Sequence, residues 1–240
     1  MNANRLKLLM MGLMVLDHIT CFVPSEWALI FHVITRCVGV FFGYMAVEGF
    51  KHTRNVYLYN GRLYIWAGIM FIGNTVLNQL VNNPAVAMYN NIFLTLALGV
   101  SLLIMTKEML KMSRISLKII LLIGMLVILA TGAVFAEGGV VILPFMLITY
   151  LASKNIALRN CLYGILAFFF LVANFQWLGD WQTTVEMLAY NSDFMFIIVL
   201  PFLYLYNSER GSKAPFFKYL FYVFYPLHLW LLAITANYLN

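Results

Sequence analysis

The sequence predicts an all-α fold: a polytopic helix bundle in a membrane, with about nine spans (8–10) and a cytoplasmic N-terminus. Three observations predict it. Of 240 residues, 63% are hydrophobic and only 10% are charged, whereas a soluble domain carries about 25% charge. Apolar runs recur along the whole chain at lengths near the ~20 residues that cross hydrocarbon. Lys and Arg are confined to alternate loops, as expected when cytoplasmic loops hold the positive charge.

The apolar segments lie at roughly 6–23, 28–50, 62–81, 89–106, 116–135, 139–152, 160–177, 193–206 and 217–238. The first has a basic start and an apolar core, as a signal peptide has. It lacks a small-x-small cleavage site, carries Asp17 and His18, and is followed by further spans, so it reads as a retained helix. The sixth is short and contains Pro144, which reads as a broken or re-entrant helix. No linker composition and no internal repeat divides the chain, so residues 1–240 read as a single domain.

Charge placement orients the segments. Arg5 and Lys7 precede or open the first. Lys51, Arg54 and Arg62 lie between the second and third. Lys107, Lys111, Arg114 and Lys118 lie between the fourth and fifth, Lys154 and Arg159 between the sixth and seventh, and Arg210, Lys213 and Lys218 between the eighth and ninth. The alternate loops hold only the acids Glu26, Glu137, Asp180, Glu186 and Asp193. This pattern puts the N-terminus inside and the C-terminus outside. The formal charge of +6 then belongs to topology and contact with anionic lipid, not to nucleic acid. Trp177, Trp181 and Tyr190 read as an interfacial belt. Cys21, Cys37 and Cys161 show no CxxC spacing and read as packed thiols, not disulfides or a zinc site.

Arg36 is the one basic residue outside this pattern, inside the second segment. An ionisable side chain in hydrocarbon is expensive and by default functional. Lys7, Met11, Met14 and His18 share one helical face, which sets His18 roughly 16 Å above Lys7 at the usual rise per residue. The same rise puts Arg36 and His228 at a similar depth. Asp17, His18, Arg36 and His228 are therefore expected to form one polar layer on three helices, with Tyr225 one turn before His228. His32 lies one turn outward from Arg36, and Glu48 lies near the inner end of the same segment. An Asp17–Arg36 pair also has a purely structural reading, as does a hydrogen-bonded His. No ligand spacing on one helix supports a metal, and none is expected. There is no P-loop or dinucleotide fingerprint.

Several stretches resemble one family. They are Asp17-His18; Arg36 followed by Val47-Glu48-Gly49-Phe50 with His52-Thr53-Arg54-Asn55, Tyr59 and Arg62-Leu63; Asn91 to Gly99; and Lys218-Tyr219 through Tyr225-Pro226 to His228-Leu229. Together they are similar to the TraX family of membrane proteins, named for a conjugation-plasmid protein that N-acetylates pilin. The chain departs from the family pattern at His32, where an Arg is usual, at Gly39-Val40 in place of Phe-Pro, and at Glu137-Gly138-Gly139 in place of Asp-Tyr-Gly. Lys7 and His18 also match the Arg/Lys-to-His spacing of the wider multi-pass acyltransferase superfamily.

The resemblance implies an acetyltransferase of the bacterial cytoplasmic membrane that uses acetyl-CoA as co-substrate. It implies a pilin-like N-terminus or a cell-surface glycan as acceptor, hence a role in conjugation or fimbrial assembly. His18 is then the base or acyl relay. Asp17 orients it, Arg36 steadies Asp17 or the oxyanion, and Tyr225 and His228 orient acceptor or thioester. Lys7, Glu48, His52, Arg54, Arg62 and Lys218 are the expected CoA-binding set at the inner face. Two other readings stand beside this one: a transporter or flippase relaying protons through Asp17, His18 and Arg36, and a non-catalytic assembly factor. The expected partners are membrane lipids, acetyl-CoA and the acceptor.

Overall fold

Asn or Asp side chains start five of the helices. Each short polar side chain takes an N–H that the first turn leaves without a partner. Asn2 accepts from the Arg5 N–H at 3.0 Å and opens α1 (Ala3–His18). Asn55 accepts from Tyr57 and Leu58 at 3.0 Å and opens α3 (Val56–Val81). Asn91 opens α4 (Ile92–Lys111). Asn155 accepts from Leu158 and opens α7 (Ile156–Asn174). Asp180 accepts from Thr183 at 2.8 Å and opens α8 (Trp181–Tyr190). The remaining helices are α2 (Ser25–His52), α5 (Ile115–Phe135), α6 (Gly139–Leu151), α9 (Val199–Leu205) and α10 (Pro215–Leu239), with 3-10 turns at Thr20–Phe22 and Ser192–Ile198. The computed structural model describes residues 1–81, 83, 87–212 and 214–239, and no strand occurs among them. Lys213 of the basic pattern lies outside the described residues.

Among the described residues, six helices are long and apolar enough to cross a membrane: α2, α3, α4, α5, α7 and the body of α10. A seventh crossing arises if α8 and the Ser192–Leu205 stretch, bent by 66°, count as one broken span. α1, with 16 residues, and α6, with 13, are shorter. The protein is an all-helical, multi-pass membrane protein.

Three boundaries differ from the sequence reading. The first apolar run is not one helix to residue 23: α1 ends at His18, and the chain turns through Thr20–Phe22. Apolarity continues past a backbone break because both sides face lipid or core. The stretch read as an outer loop around Trp181 and Tyr190 is helical, and the eighth segment is a 3-10 stretch followed by the seven-residue α9. α3 begins at Val56, so Arg62 lies inside the helix instead of in the loop before it. Hydropathy marks the buried part of a helix, while backbone hydrogen bonds carry on into flanks whose long basic side chains reach water. Of the thiols, only Cys37 is packed; Cys21 and Cys161 are exposed on the protein surface, and all three are free.

The chain divides into two compact units. One comprises residues 42–75 and 89–159. Its centre is α4, α5 and α6, whose mutual packing buries Leu102, Met125 and Leu143. α6 and α5 approach closely because Gly132 and Gly139 meet: a Cβ on Gly139 would land on the Gly132 carbonyl. Pro144 sits within α6 without interrupting it. Amides tie the neighbouring helices together, as interhelical polar groups do in lipid. Asn60 donates to Ser101 at 2.8 Å, Asn91 to the Ala67 carbonyl at 2.9 Å, and Asn90 to Glu137 at 3.1 Å.

The other unit comprises residues 1–41, 76–88 and 160–240. α1 packs along α10 and buries Leu6, Met10, Met11 and Met14. Its first turn is tied to the α9–α10 connection, with the Ala3 N–H on the Glu209 carbonyl at 2.8 Å and the Asn4 amide on that of Ser212 at 2.9 Å. These ties set the height of α1 against α10, and hence of His18 against His228.

Candidate functional site

Every side chain of the predicted polar layer belongs to the unit built on α1 and α10. Asp17 and His18 end α1. His32, Thr35 and Arg36 follow one another around a turn of α2. His228 and Tyr225 lie on α10, and Tyr190 closes α8.

Asp17 is a paired, hydrogen-bonded carboxylate. Arg36 Nη2 donates to both its oxygens, at 3.3 and 3.2 Å. The Thr35 hydroxyl reaches Asp17 Oδ1 at 2.7 Å and is also 2.8 Å from the Phe31 carbonyl. A hydroxyl has one hydrogen, and the charged acceptor takes it more strongly. Arg36 is fixed from its own helix as well, its Nε–H donating to the His32 carbonyl at 3.1 Å.

His32 links three elements. Its Nε2 is 3.0 Å from the Tyr190 carbonyl, and a carbonyl only accepts, so Nε2 carries the proton. In the neutral ring Nδ1 is then an acceptor, and Arg36 Nη2 stands 3.3 Å from it. Asp17 Oδ1 is 3.7 Å from the same Nδ1, and the ring stacks on Tyr190 at 6.1 Å. His32 thus serves the ion pair. Thr35 and the Tyr190 carbonyl were not read as site groups from sequence. A Thr next to an intramembrane Arg was a usable signal for the first; no signal marks a backbone carbonyl.

His18 and His228 share one local design. His18 Nδ1 lies 2.8 Å from the Met14 carbonyl, and His228 Nδ1 lies 3.0 Å from that of Phe224. Each Nδ1 therefore holds the proton, and each Nε2 presents a lone pair in the neutral ring. The rings meet edge to face with centroids 5.2 Å apart. His18 is half-buried, whereas His228 is 8% exposed and its Nε2 has no hydrogen-bond partner among the described residues. Phe224 stacks on the His228 ring at 5.0 Å, and buried Tyr225 meets it at 5.7 Å. An apolar cavity of about 440 Å³ runs along α10 from Phe216 to Leu227, with Phe224 in its wall.

The expected CoA-binding residues divide between the two units. Lys7, half-buried on α1, and Lys218 on α10 belong to the same unit as the histidines; the Lys218 side chain lies outside the described part of the structure. The other four belong to the unit around α4 to α6. There Glu48 pairs with Lys51 at 3.0 Å, and His52 Nδ1 is 2.8 Å from the Glu48 carbonyl. Both side chains are thereby committed to their own helix end. Arg54 and Arg62 are exposed, with guanidinium groups suited to phosphate. Gly49 admits the ring of Tyr59, whose hydroxyl would be 2.9 Å from an added Cβ. In the same unit Lys107 lies over Phe50 at 5.7 Å and Arg159 over Tyr44 at 5.8 Å.

The arrangement can do two things chemically. It holds an ion pair whose carboxylate lone pairs are largely consumed, and it offers two imidazole lone pairs side by side. The first is a scaffold and the second is reactive. A family model described as TraX protein matches residues 2–236. No curated protein and no solved structure matches the chain.

Proposed function

Because the chain belongs to the TraX family, we propose that it is a membrane-embedded acetyltransferase that takes its acetyl group from cytoplasmic acetyl-CoA. The acceptor in this reading is a pilin-like N-terminus or another cell-surface group, and the location is the bacterial cytoplasmic membrane. One observation carries the proposal. The Nδ1–H of His18 is tied to the Met14 carbonyl, which leaves Nε2 as a lone pair beside a second imidazole in an apolar surround. Acyl transfer needs such a base or nucleophile, a place for the carrier, and charge stabilisation at the carbonyl. Arg36 is the positive charge of the polar layer in this reading, and its bonds to Asp17 and His32 fix its position. Asp17 acts one step removed, by fixing Arg36. The basic groups suited to the CoA phosphates are Lys7 and Lys218 in the unit that holds the histidines, and Arg54 and Arg62 in the other, where Glu48 and His52 lie at the end of α2.

The test is to incubate purified protein with radiolabelled acetyl-CoA and membranes, and to identify what becomes labelled. His18→Ala is expected to reduce transfer by at least about 10²–10⁴-fold, the usual effect of losing a general base, with membrane level and melting unchanged. Arg54→Gln with Arg62→Gln is expected to raise the KM for acetyl-CoA and to weaken its salt dependence. A His18→Ala protein that transfers at the wild-type rate would remove the proposal.

A further inference from the structure

We infer that the two histidines divide the reaction: His18 carries the acetyl group, and His228 takes the proton of the attacking acceptor. The inference rests on the acetyl-transfer reading above. Its basis is the unlike setting of two rings held in the same tautomer. Both Nδ1–H groups are tied to the carbonyl one turn back on their own helix. Neither ring can pass its Nδ1 proton on without breaking that tie, so both must react through Nε2. Burial then separates them. His18 is half-buried at the end of α1, open enough to meet a thioester. His228 is 8% exposed, and its Nε2 finds no donor among the described residues. A buried acceptor left unsatisfied is unfavourable, and a bound acceptor group that donates to it relieves this.

Burial keeps the His228 ring neutral at rest, ready to accept a proton, and one contact favours the charge that forms as it does so. Phe224 lies flat against it, 5.0 Å away with the planes 15° apart, and an aromatic face attracts a cation. His18 meets it edge to face, within the same pair of helices, α1 and α10, that pack along each other.

The steps balance. His18 Nε2 forms a bond to the thioester carbonyl carbon, and the C–S bond breaks with its electron pair leaving on the CoA thiolate. The Nδ1–H stays on the Met14 carbonyl, so the acetylated ring is positive and the thiolate negative. The amine or hydroxyl of the acceptor then bonds to the acetyl carbon. The N–C bond to His18 breaks, its electron pair returns to Nε2, and the acceptor's proton moves to His228 Nε2. The thiolate finally takes that proton. The sum is acetyl-CoA plus acceptor giving acetylated acceptor plus CoA thiol, with both imidazoles neutral again.

Two readouts separate the steps in full-length protein held in lipid nanodiscs. Exchange of labelled CoA into acetyl-CoA reports the His18 step and needs no acceptor. Labelled acetyl entering a membrane fraction, or released as acetate, reports the second step. His18→Ala is expected to lose both. His228→Phe, which keeps a ring against Phe224, is expected to keep exchange within a few-fold while transfer falls about 10²–10⁴-fold. Added imidazole is expected to restore part of the transfer to His228→Ala. If His228→Phe transfers at the wild-type rate, or loses exchange together with transfer, the division of roles is overturned. It is overturned equally if the wild type exchanges but gives no labelled product. Wild-type transfer without exchange would overturn the relay and leave acetyl transfer standing. Wild type that does neither would overturn acetyl transfer itself.

Discussion

Thr35 and His32 do for Asp17 and Arg36 what water does for an ion pair at a surface. The Thr35 hydroxyl and Arg36 Nη2 occupy the carboxylate, and the His32 carbonyl and ring nitrogen occupy the guanidinium. Removing one member of a buried pair leaves the other charge uncompensated, which costs about 3–5 kcal/mol, whereas replacing both by apolar groups is often near neutral. The side chains here keep 23% and 25% of their exposure, so the lower end applies. Asp17→Asn is therefore expected to lower the melting temperature more than Asp17→Asn combined with Arg36→Met. A double variant that melts below the single one would show that Arg36 is held by something other than its charge partner. Arg36 and Asp17 were legible in the sequence because a charge in an apolar run is conspicuous. The role of His32 was not, because nothing in a one-dimensional pattern brings the Tyr190 carbonyl to α2.

At the scale of elements, α5 and α6 meet backbone to backbone at two glycines. A Cβ at Gly139 would strike the Gly132 carbonyl, which is backbone and cannot swing aside, whereas at Gly164 of α7 nothing lies within 4 Å. Overpacking of this kind typically costs about 1–3 kcal/mol. Gly139→Ala is expected to destabilise by at least that much, and Gly164→Ala is expected to be neutral or slightly stabilising, since Ala is the better helix former. Thermal melting of the two variants in one detergent decides it, and equal melting temperatures would mean that the helices separate freely. α8 is the element that the sequence concealed. Its Asp180 cap is an ordinary helix-start signal, and the Thr183 backbone N–H holds that carboxyl below the usual carboxylate range. The acids and aromatics around it nevertheless match an interfacial loop equally well, and only the backbone hydrogen bonds distinguish the two. α1 shows the converse: its apolar run continues past His18, but the helix does not.

For the whole molecule, the number of crossings sets sidedness. The loop charges put the N-terminus inside and the C-terminus outside if α1 and α6 both cross with the longer helices. At the usual rise, a 13-residue helix such as α6 covers about 20 Å of a hydrocarbon core of about 30 Å. In a background with Cys21, Cys37 and Cys161 changed to Ser, single cysteines at Ser25, Asn83 and Thr183 are expected to react with an impermeant thiol reagent from outside. One at Ser113 is expected not to react; labelling there from outside would reverse the topology. The sequence by itself determined the helical membrane class, the family, and the identity of the ionisable side chains. Those follow from apolar length, from motifs, and from the cost of a charge in hydrocarbon, all of which are local or additive along the chain. Only the tertiary structure decided that Asp17 is spent on Arg36 and Thr35. Only it set His18 beside His228, and left the buried Nε2 of His228 without a partner among the described residues. Tautomers and pairings depend on which carbonyl or ring lies within about 3 Å, and residues far apart in sequence come that close only through packing.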